Sequence, residues 1–229
     1  GIKVGIEAHR RNRQRCMGSL YWQINDCWPV ASWSSIDYYG KWKALHYTAK
    51  KMFKNFMIST VNEADRINVF VVSDTLQNVN AKLQIRLIDF DGNLVQEWEK
   101  QIVADANTSK EYFSLAKSDF VVKPGSDNLV MHAQLISLSG NKELAENIIY
   151  LSPYKTLNFS EPNLIYTVTE NGDEFQVVLK TEKLAKDVYL SIESAFNFSD
   201  NYFDMLPNSE KTVSIKKCQI EDIETFRDK

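Results

Sequence analysis

The sequence predicts a mainly β protein: two immunoglobulin-like β-sandwich domains preceded by the last helix-strand-helix of a (β/α)8 barrel. Three observations carry this. Before residue 55, aromatic residues crowd together and apolar positions follow a helical period. After it, the chain breaks into short alternating runs separated by turn residues. A break at Ser152-Pro153 then divides the β region in two. The expected domains are 1–55, 56–155 and 156–229.

Residues 1–15 read as the end of a helix. Arg10, Arg11, Arg13 and Arg15 sit where cations suit the negative end of the helix dipole, so a solvated basic terminus is expected. Residues 16–24 (CMGSLYWQI) are a short apolar run, expected as a buried parallel strand. Residues 25–40 hold a proline, end in glycine and mix polar with aromatic residues, which marks a long loop. In residues 41–53, Trp42, Leu45, Ala49, Met52 and Phe53 recur at helical spacing with lysines opposite, so an amphipathic helix follows. Helix, strand, long loop and helix in this order match the end of a (β/α)8 barrel, with the loop on its functional face.

Beyond residue 55, Ile67, Val69 and Val71 alternate, as do Leu83, Ile85 and Leu87, and again Leu129, Met131, Ala133 and Leu135. Asp91-Gly92 and the Ser139-Gly140-Asn141 run are hairpin signals. Five to seven strands are expected here, a sandwich without a disulfide. In the last domain NLIYTV, EFQVVLK, DVYLSIES and KTVSIK are the expected strands, with a turn at Asn171-Gly172. About 70 residues lie near the lower limit for a domain that stands alone.

Composition narrows the function. The chain has 229 residues, 44% of them hydrophobic, and a net charge of −3. No basic stripe suits nucleic acid, and no apolar run nears the ~20 residues that a membrane helix needs. Neither nucleic acid nor membrane is expected as a partner. Cys16, Cys27 and Cys218 are an odd count without framework spacing, and His9, His46 and His132 are the only histidines. No disulfide scaffold, metal or cofactor is expected. Asn107, Asn158 and Asn197 open short glycosylation sequons, a weak signal. A periplasmic or secreted bacterial location is favoured over a cytoplasmic one.

The stretch MGSLYWQINDCWPVASWSSIDYYGKWKALHYTAKKMF, Met17 to Phe53, resembles the last strand, loop and helix of the barrel in family 2 glycoside hydrolases. It is most similar to the β-mannosidases of that family. Trp22, Gln23, Asn25, Asp26, Trp28, Pro29 and the SSIDYYGKWKALHY run fit the mannosidase form, as does HRRNRQRCMG before it. More weakly, AENIIYL and FSDNYFDMLPNSEKTVSI resemble parts of that family's terminal sandwich domains.

The resemblance implies the carboxy-terminal part of a retaining, exo-acting β-mannosidase that hydrolyses terminal non-reducing β-D-mannose. Its partners would be a β-mannoside oligosaccharide and the upstream barrel of the same polypeptide, with self-association through an unpaired 16–24 strand a further expectation. Retaining chemistry needs two carboxyl groups about 5–5.5 Å apart. The family carries them on earlier barrel strands. Here Glu7 is on the first helix, Asp26 and Asp37 are in the loop, and the other carboxylates fall in the β-domains. No catalytic residue is therefore expected in this chain.

The expected contribution is sugar contact. A hexose packs its C–H face on an indole. By resemblance Trp22 is the floor of the terminal sugar subsite, and Asn25 and Asp26 follow it at the strand's mouth. Asp26 serves equally well as a turn-forming residue. Trp28 and Trp33 suit either loop packing or substrate contact, Trp42 reads as core, and His46 as a helix-surface or packing residue. A competing reading makes the β-domains a carbohydrate-binding module, through Tyr112, Phe113, Tyr202 or Phe203. Another makes them a scaffold. An exposed row of those rings favours the module, and their burial favours the scaffold.

Overall fold

A computed structural model describes residues 1–120, 128–192 and 197–219. The chain forms two compact units, Gly1–Leu20 with Lys51–Asn158, and Tyr21–Lys50 with Phe159–Lys229. The segment expected as one block, 1–55, is thus divided between them.

The first unit opens with helix α1 (Ile2–Arg11). Seven strands follow: β1 (Phe56–Asn62), β2 (Arg66–Ser73), β3 (Val79–Asp89), β4 (Leu94–Ala104), β5 (Thr108–Ala116), β6 (Leu129–Ser137) and β7 (Glu143–Tyr150). They pair antiparallel in two sheets, β1-β2-β5 and β4-β3-β6-β7. The alternation in the sequence sets which face is buried. Ala81, Leu83, Ile85 and Leu87 of β3 are fully buried, as are Met131, Ala133 and Leu135 of β6 and Ile67 and Val69 of β2. Lys82, Gln84 and Arg86 take the other face of β3. Each large aliphatic in this core stabilises by about 1.5–3 kcal/mol. The β3–β4 turn uses Gly92 at φ 95°, and the β6–β7 turn uses Gly140 at φ 88°, a conformation that disfavours side chains.

The three-stranded sheet is buried on both faces at β1. Phe56 and Ile58 point into the sandwich, while Met57 joins Val72, Met52 and Ile6 of α1 in a separate cluster. The basic end of α1 is not solvated, contrary to expectation. Arg10 is buried, and its guanidinium donates to the Met52 carbonyl and, at 2.7 Å, to Asp74 Oδ2. Arg13 donates to the other Asp74 oxygen and to Asn107 Oδ1. Arg11 donates to Ser59 Oγ at 2.6 Å. Only Arg15 stays exposed. The long arms reach over the helix end to the sandwich loops, and those contacts outweigh full hydration.

Residues 16–24 form no strand. Met17, Leu20, Trp22 and Ile24 are exposed, and no ladder partner lies among the described residues. A parallel strand holds its shape through hydrogen bonds to neighbours on each side; among the described residues only the end of the run finds any, where Ser35 N donates to the Gln23 carbonyl and Ile36 N to the Ile24 carbonyl.

In the second unit, helix α2 (Ala44–Met52) begins three residues later than expected and contributes residues up to Lys50. The strands are β8 (Ile165–Asn171), β9 (Glu174–Thr181), β10 (Ala185–Val188), β11 (Phe203–Met205) and β12 (Ser209–Lys216). They make the sheets β12-β9-β8 and β10-β11. Phe175, Val177, Leu179, Val213 and Ile215 pack against Val188, Phe198, Phe203 and Met205. Of the strand expected over DVYLSIES only Asp187 and Val188 fall in a strand, β10, which starts two residues earlier, shifts register between Ala185 and Val188 and has Asp187 at φ 54°. The last two residues of the expected strand lie outside the described ones. Among the described residues, no helix is long and apolar enough to cross a membrane.

Candidate functional site

The loop between Tyr21 and Lys43 is ordered from within. Asn25 bridges to Ile36 in parallel, and Ile36 bridges to Trp42 in antiparallel sense. Asp26 N donates to the Ile36 carbonyl at 3.1 Å, and Ser35 N to the Gln23 carbonyl at 3.2 Å. A polar hub lies beneath. Ser34 and Ser35 are buried, and the Asp26 side chain is shut off from solvent. Asp26 Oδ1 accepts from Ser32 Oγ at 2.5 Å, and Oδ2 from Lys43 Nζ at 2.9 Å. Lys43 Nζ also donates to Ser34 Oγ at 2.7 Å. The hydrogen bonds from Ser32 and Lys43 hold the Asp26 carboxyl down to about 2, against an ordinary 3.8.

Ser35 forms the other half of the hub. Its hydroxyl lies 2.9 Å from the Ile24 carbonyl and 3.1 Å from His46 Nδ1, and accepts from Tyr21 at 3.1 Å. Burial, helped by the charge of Lys50, pushes the His46 imidazole down, so this ring is a neutral packing partner. It lies against Trp42, centroids 4.4 Å apart.

Above the hub the aromatic residues are open. Trp22 is 78% exposed, Trp28 63% and Trp33 75%. Trp28, Trp33 and Asp26 line one concavity of about 360 Å3 with Gln23, Cys27 and Ser32. Trp22 and Asn25 lie outside that lining. The Trp22-Gln23 peptide bond is cis. Asn25 is exposed, its amide donating to the Asp26 carbonyl at 3.2 Å. Of the four candidate contact residues, the structure therefore brings Asp26 and Trp28 together. Asp26 has both oxygens engaged, so its geometry fits holding the loop.

Lys43 and the serines at 32, 34 and 35 were not singled out from the sequence. The available signal is three serines within four residues amid aromatics, with Asp26 upstream and Lys43 downstream of that run. Trp42, expected in a core, is half-buried against Tyr47. The backbone N–H of Trp42 donates to Asn197 Oδ1 at 2.8 Å, and Asn197 Nδ2 donates to the Gly40 carbonyl at 3.2 Å. The sequon asparagine thus works as a loop brace.

Phe203 is buried, Tyr112 and Phe113 pack in part against the first core, and Tyr202 lies against Tyr47 and Tyr189. None of the four rings is fully exposed. Glu7, on α1, accepts from Asn147 at 3.3 Å, and burial raises its carboxyl above 4.5. Among the described residues, no three His, Cys, Asp or Glu side chains gather to hold a metal ion.

The model of the mannosidase Ig/CBM-like domain matches residues 65–156, and that of the mannosidase Ig-fold domain matches residues 159–229. The β-mannosidase of Capra hircus is 31% identical over 93% of this chain, and that of Bos taurus 30% over 93%. The solved β-D-mannosidase from Dictyoglomus thermophilum superposes with a TM-score of 0.81, at 28% identity over 94% of this chain. The chain belongs to the β-mannosidase family. It spans 26% of the length of each of these three β-mannosidases. The exo-chitosanase of Amycolatopsis orientalis shares the fold, with a TM-score of 0.66 at 18% identity over 96% of this chain and 31% of its own. Its likeness stops there, whereas the β-mannosidase likeness extends to sequence.

Proposed function

We propose that this chain is the carboxy-terminal part of a retaining, exo-acting β-mannosidase that removes terminal non-reducing β-D-mannose. One observation carries this reading: β-mannosidases of three organisms align with more than nine-tenths of the chain, across both units. The general acid and the nucleophile belong to the remainder of the longer protein, where the upstream barrel would lie. Residues 1–55 would complete that barrel, and the exposed apolar side chains of 16–24 would gain their strand partners there.

In this reading Trp22 is the stacking floor of the terminal subsite, and its open indole face supports that role. Asn25, exposed beside it, offers an amide to a hydroxyl. Trp28 adds a wall, and Asp26 acts from below by holding the loop. The β-units serve as scaffold, which the packing of Tyr112, Phe113 and Phe203 supports. The test is a chromogenic β-mannoside assay of the longer protein with and without Trp22→Ala. The reading expects mannoside hydrolysis that falls in the variant; a longer protein indifferent to mannosides contradicts it.

A further inference from the structure

We propose that Lys43 is a positioning residue: it staples Asp26 to the Ser32–Ser34 turn and so holds the Trp28–Trp33 concavity in the shape a hexose face needs. This rests on reading the loop as sugar-binding.

The argument starts from exposure. Trp28 and Trp33 project into solvent, so packing does not fix them. Ordering an unpacked loop residue costs conformational entropy. Something beneath must therefore hold the backbone between Asp26 and Lys43. The ammonium of Lys43 has three donors, and three acceptors surround it: Asp26 Oδ2 at 2.9 Å, Ser34 Oγ at 2.7 Å and the Ser32 carbonyl at 3.5 Å. Ser32 in turn donates to Asp26 Oδ1, and Ser34 to the Ile36 carbonyl at 2.9 Å. The ring closes on itself, with Trp28 inside the span and Trp33 between the two serines. Among the described residues, no other lysine or arginine is paired with Asp26. Removing Lys43 leaves a solvent-excluded carboxylate without its counter-charge, which a buried site does not tolerate. The loop then opens to hydrate Asp26, and the concavity goes with it.

The 229-residue chain labelled with 5-fluorotryptophan reports this directly. Its five tryptophans are assigned by single Trp→Phe variants. In Lys43→Met, the fluorine resonances of Trp28 and Trp33 are expected to move toward the shift of the free amino acid, while Trp98, in the other unit, holds its place. Lys43→Arg should restore both. Titration with β-mannobiose should shift Trp28 and Trp33 in the wild-type chain, with affinity at least tenfold weaker in Lys43→Met. If Lys43→Met disturbs the whole second unit, the neutral pair Asp26→Asn/Lys43→Met, which buries no lone charge, carries the same readout. Unchanged Trp28 and Trp33 resonances in both variants overturn the proposal, whatever the sugar does. Collapse of those resonances with a wild-type chain indifferent to mannobiose supports the positioning role and overturns the sugar reading instead.

Discussion

Trp22 and Trp42 belong to one loop-and-helix segment and need opposite tests. Trp22 is open and holds no core, so Trp22→Ala should barely change the melting of the chain. If Trp22 is the stacking floor proposed above, in the longer protein Trp22→Ala should lower kcat as well as affinity, by about 1–3 kcal/mol, because a stacking ring also supports the distorted sugar. Kinetics and melting of the same variant separate the two effects. Trp42→Ala should do the reverse. The ring is only half-buried, so the loss should be about 2–3 kcal/mol, short of a full core aromatic. Asp26 makes a pH prediction. Its folded value near 2 lies below the ordinary 3.8, so its contribution is complete above 3.8 and is lost as pH falls toward 2. Amide protection across 23–43, measured relative to the intrinsic exchange rate at each pH, should therefore fall on acidification over that window, and Asp26→Asn should flatten the response. The identity of the loop was readable from its rare residue types. The role of Asp26 was not, because it depends on Lys43 folding back over the serines, and no sequence spacing encodes that return.

The sandwich strands were readable because alternation is local: Leu83, Ile85 and Leu87 are buried as their period predicts. The strand at 16–24 failed because an apolar run becomes a strand only with partners. Helix α1 was readable as a helix, but its arginines were misjudged, since dipole arguments ignore what stands opposite. Arg10→Ala should cost about 1.5–3 kcal/mol, the range for hydrogen bonds to charged groups, and denaturant melts of the chain measure it. A cost below 0.5 kcal/mol would return Arg10 to the solvated role. Glu7 on the same helix gives a signed pH test. Its folded value is raised by burial, so its contribution is fully present below 4.5 and is lost as pH rises through the folded value. Glu7→Gln keeps the acceptor for Asn147 and removes the charge. It should be more stable than wild type at pH 7 and nearly equal to it at pH 4.

For the whole chain, covalent chemistry and catalysis are both defined by what the residues can reach. Cys16, Cys27 and Cys218 are free, so thiol titration of the denatured, unreduced chain should find three groups. The family was readable from one dense segment of about 40 residues, while the two β-units identify themselves mainly through their match to mannosidase domains. We propose that this chain shapes part of a β-mannosidase site while the acid and nucleophile lie in the longer protein. The most direct measurement compares the purified 229-residue chain with the longer protein on p-nitrophenyl β-D-mannoside. No turnover above buffer is expected from the chain alone, and steady release from the longer protein. Turnover by the chain that survives purification and rises in proportion to its concentration would contradict it.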